Sequence, residues 1–217
     1  MIYDQTISPE PADSLRTDCL IIGAGLAGAT LGYLFRKAGR DVLLLEICDA
    51  QKKDKLCAGA MNNETMKLLT QIFGPDVEES LHPGRFSQLR TRIDDKEIRT
   101  DLQNMFLALP RKRLDDYVLC RCLETDGQLL CRVSVKAIDI AAGDAAGLIH
   151  PTLGAGIHYA IVSAQRLAEA LLEGEDYEDI LRPCTDNITK LAEKTIRMQF
   201  IKNLSIYVKG TPAEPLC

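Results

Sequence analysis

Two glycine-rich stretches carry the residues with chemical potential. The first is Gly23-Ala24-Gly25-Leu26-Ala27-Gly28, a G-x-G-x-x-G spacing with an acid, Glu46, eighteen residues beyond Gly28. The second is IAAGDAAGLIHPTLGAGI, residues 140–157, in which Gly143-Asp144 precedes Gly154-Ala155-Gly156-Ile157. Glycines at such spacing let backbone amides approach a phosphate without a Cβ in the way. A helix beginning there adds free N–H groups and the positive end of its dipole. A carboxylate at a strand end accepts hydrogen bonds from a sugar diol. Glu46 would also repel a 2′-phosphate, since two anions would meet.

The flanking elements decide whether the first spacing means anything. DCLIIG, 18–23, reads as a short buried strand, and AGLAGATLGYLFRKAG as a helix closed by Gly39. DVLLLE, 41–46, reads as a second buried strand ending in the acid. Strand, helix and strand in this order form a βαβ unit, the context that turns the glycine spacing into a dinucleotide fingerprint. The fingerprint alone does not separate a nicotinamide from a flavin dinucleotide. The second stretch does. Asp144 at a strand's end suits the hydroxyls of a ribityl chain, and a helix start at Gly154–Gly156 suits the negative charge of a reduced flavin ring. The expected cofactor is FAD.

The rest of the chain supplies elements to position these residues. Residues 61–74 read as a helix, 86–102 as a hairpin turning at Asp94-Asp95, and MFLALP as a strand stopped by Pro110. A helix follows from Arg111 toward Gly127, then one or two strands, a helix over 155–172, and helical material from Asp186 to about Lys209. The expected fold class is α/β: a Rossmann-like FAD-binding βαβ fold with a parallel sheet, a remnant of a small antiparallel substrate sheet, and C-terminal helices. Residues 1–17 read as a tail, 18–173 as the FAD-binding domain with 85–102 as the inserted hairpin, and 174–217 as a helical region.

Composition removes other classes. A net charge of −5, no Trp and only 5% aromatic residues leave neither a basic face nor a stacking platform for nucleic acid. The eight cysteines form no C-x-x-C pair, and His150 and His158 have no ligand partners in sequence, so no metal site is expected. Scattered thiols suit a reducing cytoplasm. The acidic N-terminus lacks the basic region of a signal peptide. Residues 19–35 and 145–165 are uncharged runs of near-membrane length, but the βαβ unit and the glycine turns explain them better.

In combination, four segments resemble the FAD-dependent geranylgeranyl reductase family, within the wider aromatic-hydroxylase-like flavoproteins. They are IIGAGLAGATLGYLFRKAGRDVLLLE, KLCAGAM at 55–61, LPRKRLDDYVL at 109–119, and AAGDAAGLIHPTLGAGIHYAI at 141–161. The resemblance implies that Gly23, Gly25, Ala27, Gly28 and Glu46 hold the ADP half of FAD. It implies Arg111 near the cofactor, Gly143 and Asp144 at the ribityl–pyrophosphate part, and Gly154, Ala155, Gly156 and Ile157 under the pyrimidine edge. Cys57 and Gly59 would lie near the reactive face, with Cys57 a candidate proton donor. The implied activity is hydride transfer to an alkene of a prenyl lipid, with NAD(P)H or a ferredoxin-like protein as electron donor. The basic residues Lys190, Lys194, Arg197, Lys202 and Lys209, interleaved with apolar ones, would allow peripheral contact with a membrane surface. The family's middle section, which carries most of the substrate sheet, is missing between Val135 and Ile140, and its Trp-containing substrate motif is absent. A shortened FAD-binding module without a substrate pocket, and a hydroxylase of the same fold, are the alternatives.

Overall fold

The computed structural model describes residues 17–93, 95–135, 156–198 and 204–210. The βαβ unit forms as the sequence predicts. Strand β1 (Cys19–Ile22) runs into helix α1 (Leu26–Lys37) and then strand β2 (Val42–Glu46). The two strands pair in parallel, Cys19 opposite Val42 and Ile22 opposite Leu45. Strand β6 (Gln128–Cys131) pairs in parallel with the other edge of β2, so the sheet order is β1-β2-β6.

One face of this sheet is thoroughly covered. Ile21, Val42, Leu44 and Leu129 join a single apolar core with Leu26, Ala29 and Tyr33 of α1. Helices α4 (Arg111–Glu124) and α5 (Ile157–Glu173) contribute Leu114, Val118, Cys122, Ile161, Ala164 and Leu167 to the same core. Side chains alternate across a strand, so Leu20 and Ile22 point to the opposite face. There they are 53% and 41% exposed.

A second sheet has the order β3-β5-β4-β7. The hairpin expected over 86–102 is present and longer, with β4 at Gly84–Ile93 and β5 at Lys96–Ala108. The strand expected over MFLALP is the far end of β5. Short β3 (Ala60–Asn62) pairs antiparallel with that end and leads directly into α2 (Asn63–Phe73). Neither β3 nor the one-turn α3 (Val77–Leu81) is foreseen in the sequence pattern.

The C-terminal expectation is corrected. Helix α6 spans Tyr177–Met198, starts well before Asp186 and contains Pro183. The helix expected as far as Lys209 does not form. Residues Leu204–Gly210 make strand β7 instead, antiparallel to β4 from Ile93↔Leu204 to Phe86↔Gly210. The run Leu204-Ser205-Ile206-Tyr207-Val208 is β-branched and aromatic, and it pairs a strand edge that would otherwise stay open. Of the basic residues thought to share one amphipathic helix, Lys190, Lys194 and Arg197 lie in α6 and Lys209 lies in β7, while Lys202 is outside the described residues. Among the described residues, no helix is long and apolar enough to cross a membrane.

Helix α1 packs on α4 at very short range. A Cβ placed on Gly32 would lie 2.8 Å from Cys122 Sγ and 3.4 Å from Val42 Cγ1. The thiol is buried, and that burial pushes its pKa up to about 12. It is a packing group that stays protonated. Gly32→Ala should therefore destabilise the fold by about 1–3 kcal/mol, as overpacked cores do. In Gly32→Ala/Cys122→Ala the two effects should be less than additive, because the second change removes the sulfur that the new methyl meets. Urea unfolding of the four proteins of this cycle is the measurement. Strict additivity would contradict the contact.

Candidate functional site

The glycine turn, β1 and β2 converge at one end of the parallel sheet. Gly23 has φ +98° and donates its N–H to Leu45 O at 2.6 Å, which ties the turn to the end of β2. Gly28 faces back onto the turn, and a Cβ there would lie 1.9 Å from Gly23 O. No side chain can occupy that position without parting helix from strand. Ala27 sits in the same first turn, half-buried. Gly25 is the N-cap of α1 and brings no side-chain acceptor, so the first-turn amides face outward uncapped.

Glu46 closes the other side. It is 3% exposed, and its carboxylate collects three donors. Ala24 N–H reaches Oε2 at 3.0 Å, Cys48 N–H reaches Oε1 at 3.2 Å, and Lys53 Nζ reaches Oε2 at 2.5 Å. Burial pushes its pKa upward, but the bonds from Lys53, Cys48 and Ala24 together outweigh that, and the net shift is below the ordinary glutamate value. Glu46 is an anion at neutral pH, placed where a ribose diol would need one.

A second cluster forms around the Cys57 loop. Gly59 has φ +64°, and a Cβ on it would lie 1.8 Å from Leu109 O. Its carbonyl accepts Leu109 N–H at 3.2 Å, extending the β3–β5 ladder by one step. Gly59 thus presses the loop against the chain just before Arg111. Arg111 is not a solvated charge: its Nε donates to Asp115 Oδ1 at 2.9 Å, and both side chains are only 9% exposed. Cys57 is exposed, and its Sγ accepts Gly59 N–H at 3.4 Å.

The same loop reaches the start of α5 through three residues that spacing does not reveal. Asn62 caps α2, its Oδ1 accepting Thr65 N–H at 2.9 Å and Thr65 Oγ1–H at 2.8 Å. Thr65 Oγ1 also lies 3.1 Å from His158 Nδ1, in the first turn of α5. The Asn oxygen can only accept, so satisfying both contacts places the ring proton on Nδ1. Burial holds the His158 pKa below its usual value despite the opposing effect of Glu64, and the ring stays neutral at neutral pH. This tie joins the first turn of α2 to the first turn of α5, whose N-cap is Gly156 and whose Ile157 is buried. Helix α5 in turn packs on α1. Gly143, Asp144, Gly154 and Ala155 lie outside the described residues. Among the described residues, no group of His, Cys, Asp and Glu is arranged to hold a metal ion.

Residues 16–105 match the family described as "FAD binding domain". The cofactor is FAD. The residues present fit its ADP half: a turn held free of side chains by Gly23, Gly25 and Gly28, uncapped helix amides, and a buried anion at the end of β2. No curated protein matches the chain. Among solved structures it is similar to the halogenase PltM in complex with phloroglucinol and FAD, at 18% identity and TM-score 0.44, covering 58% of this chain and 29% of that one. It is similar to P. aeruginosa PqsL in complex with 2-aminobenzoylacetate, at 19% identity and TM-score 0.44, covering 58% and 36%. A flavoprotein/dehydrogenase from Cytophaga hutchinsonii matches at 16% identity and TM-score 0.47, covering 58% and 33%. The chain spans about a third of the length of these proteins.

The state of Glu46 makes a pH prediction. Its folded pKa lies below the unfolded one, so its contribution to stability is complete at neutral pH and is lost as pH falls through the folded value. Unfolding free energy measured from about pH 7 down to about pH 3 should fall less steeply for Glu46→Gln than for the wild type. Parallel acid limbs would show that Glu46 does not carry this term.

Proposed function

We propose that the chain is an FAD-dependent oxidoreductase of the geranylgeranyl reductase type, acting on an alkene of a prenyl lipid. The observation that supports this reading is the placement of the KLCAGAM loop. Gly59 packs it onto Leu109 ahead of Arg111, and Asn62, Thr65 and His158 fasten it to the start of α5. The loop thus meets the chain ahead of α4, the helix that follows it meets the first turn of α5, and the Cys57 thiol stays exposed.

Bound FAD would supply hydride transfer from its reduced N5 to one alkene carbon, and the other carbon then takes a proton. The protein's own residues do the rest. Gly23, Gly25, Gly28 and Glu46 hold the ADP half and so fix where the ring lies. Arg111, neutralised by Asp115, stiffens the start of α4 beside the loop. Cys57 is the proposed proton donor to the alkene carbon. Asp144, Gly143, Gly154 and Ala155 are proposed to hold the ribityl chain and ring. The electron donor is proposed to be NAD(P)H or a ferredoxin-like protein, and peripheral membrane contact would bring the lipid.

A second reading, an FAD-binding module without a substrate pocket, is favoured by the exposure of Leu20 and Ile22 on the edge strand β1. A hydroxylase of the same fold is the third. One set of experiments separates them. The purified protein, given FAD, should show flavin bands in its visible spectrum. After anaerobic reduction, a prenyl lipid should reoxidise it, and Cys57→Ser should slow that step by roughly tenfold or more while FAD stays bound. Reduced flavin that no lipid reoxidises supports the module. Hydroxylated product formed only with oxygen supports the hydroxylase. No flavin uptake at all sinks the three readings together.

A further inference from the structure

The buried end of β2 carries more than an acceptor for a ribose. Glu46 Oε2 already accepts two hydrogen bonds, from Ala24 N–H at 3.0 Å and from Lys53 Nζ at 2.5 Å. A carboxylate oxygen has two lone-pair directions, so Oε2 is full. Its partner oxygen accepts from Cys48 N–H at 3.2 Å, with one direction left. A ribose diol offers two hydroxyl donors, and each carboxylate oxygen can take one only if Oε2 gives up a bond. The Ala24 amide is part of the glycine turn and cannot leave. Lys53 sits on a loop without regular structure, at the end of a flexible side chain that is 26% exposed. It is the donor that can move.

Where it would go is set by the turn. Lys53 Nζ lies 3.7 Å from the point a Cβ on Gly25 would occupy, at the mouth of α1. This is where the fingerprint places the pyrophosphate. A rotation of the side chain exchanges the Glu46 carboxylate for a phosphate oxygen, so the ammonium keeps an anionic partner. We propose that Lys53 is a pyrophosphate-binding residue, held on Glu46 in the free protein and handed to the cofactor as the ribose takes its place. This rests on the FAD reading of the site. It assigns Lys53 a role that neither the glycine spacing nor the position of Glu46 suggests. It also gives Glu46 two successive partners, which spares the buried carboxylate an unpaired state on either side of binding.

The test uses the full-length apoprotein, with ADP and adenosine titrated calorimetrically at low and high salt. Adenosine carries the diol without the phosphates. Lys53→Met should weaken ADP roughly tenfold, the scale of one charge-assisted hydrogen bond. It should flatten the salt dependence of ADP binding and leave adenosine unweakened, since Glu46 is then free. Lys53→Arg should keep the wild-type ratio of ADP to adenosine affinity, and it carries the test if Lys53→Met lowers thermal stability. Equal weakening of ADP and adenosine, or no change in either, overturns the proposal. A wild-type protein that takes up neither ADP nor FAD overturns the cofactor reading itself, an outcome visible before any variant is made.

Discussion

A buried carboxylate at the end of a strand is the constraint on which the glycine turn depends. Taking the charge of Glu46 out of water is costly unless donors replace the lost hydration. Two of its three donors are backbone amides, from Ala24 inside the turn and from Cys48 just beyond β2. Their positions follow from backbone geometry alone. Gly23 N–H on Leu45 O fixes the turn from the other side. The end of β1, the start of α1 and the end of β2 are thus locked into one piece. That piece carries an acceptor and a row of free amides a short distance apart, the arrangement a dinucleotide's sugar and phosphates require.

The second half of the site is built by a different device. The Cys57 loop has no regular structure and is largely exposed, yet the chain that follows Cys57 is held in place. Gly59 meets the Leu109 backbone at a distance no other residue tolerates, and Asn62 caps α2 while Thr65 reaches His158. The loop's thiol at Cys57 is left outward. A rigid frame with one reactive group presented from a loop is a common way to combine positioning with access.

How much of this was legible in the sequence follows from the range of the forces involved. The βαβ unit, the β4–β5 hairpin and helices α2, α4 and α5 rest on local signals: apolar periodicity, turn residues and capping glycines. Glycine spacing announced the turn because its requirement is steric and local. Lys53, Asn62 and Thr65 went unseen as site residues, because each matters through a partner on another element or another turn, and residue type alone does not name that partner. His158 looked structural, which its bond to Thr65 supports, although that bond also positions a loop of the site. The C-terminal strand was missed because the alternation in Leu204–Val208 competes with lysines at helical spacing, and pairing with the edge of β4, distant in sequence, decides between them.

The exposed side of β1 bears on what this chain does. A parallel strand is ordinarily covered on both faces, and Leu20 and Ile22 carry the composition of covered residues while lying open. The opposite face is filled by α1, α4 and α5, and on the side of Leu20 and Ile22 the neighbouring Leu43 and Leu130 are buried, so the exposure is confined to the β1 edge. The groups that suit the cofactor's ADP half, the glycine turn and Glu46, are tied to each other and not to that exposed edge. An apolar substrate needs walls, and the sequence lacks the segment that builds them in the family it resembles. Holding a dinucleotide and enclosing an apolar substrate are therefore separate structural demands. A chain with this architecture can keep the first without the second, and flavin uptake alone says nothing about the reaction.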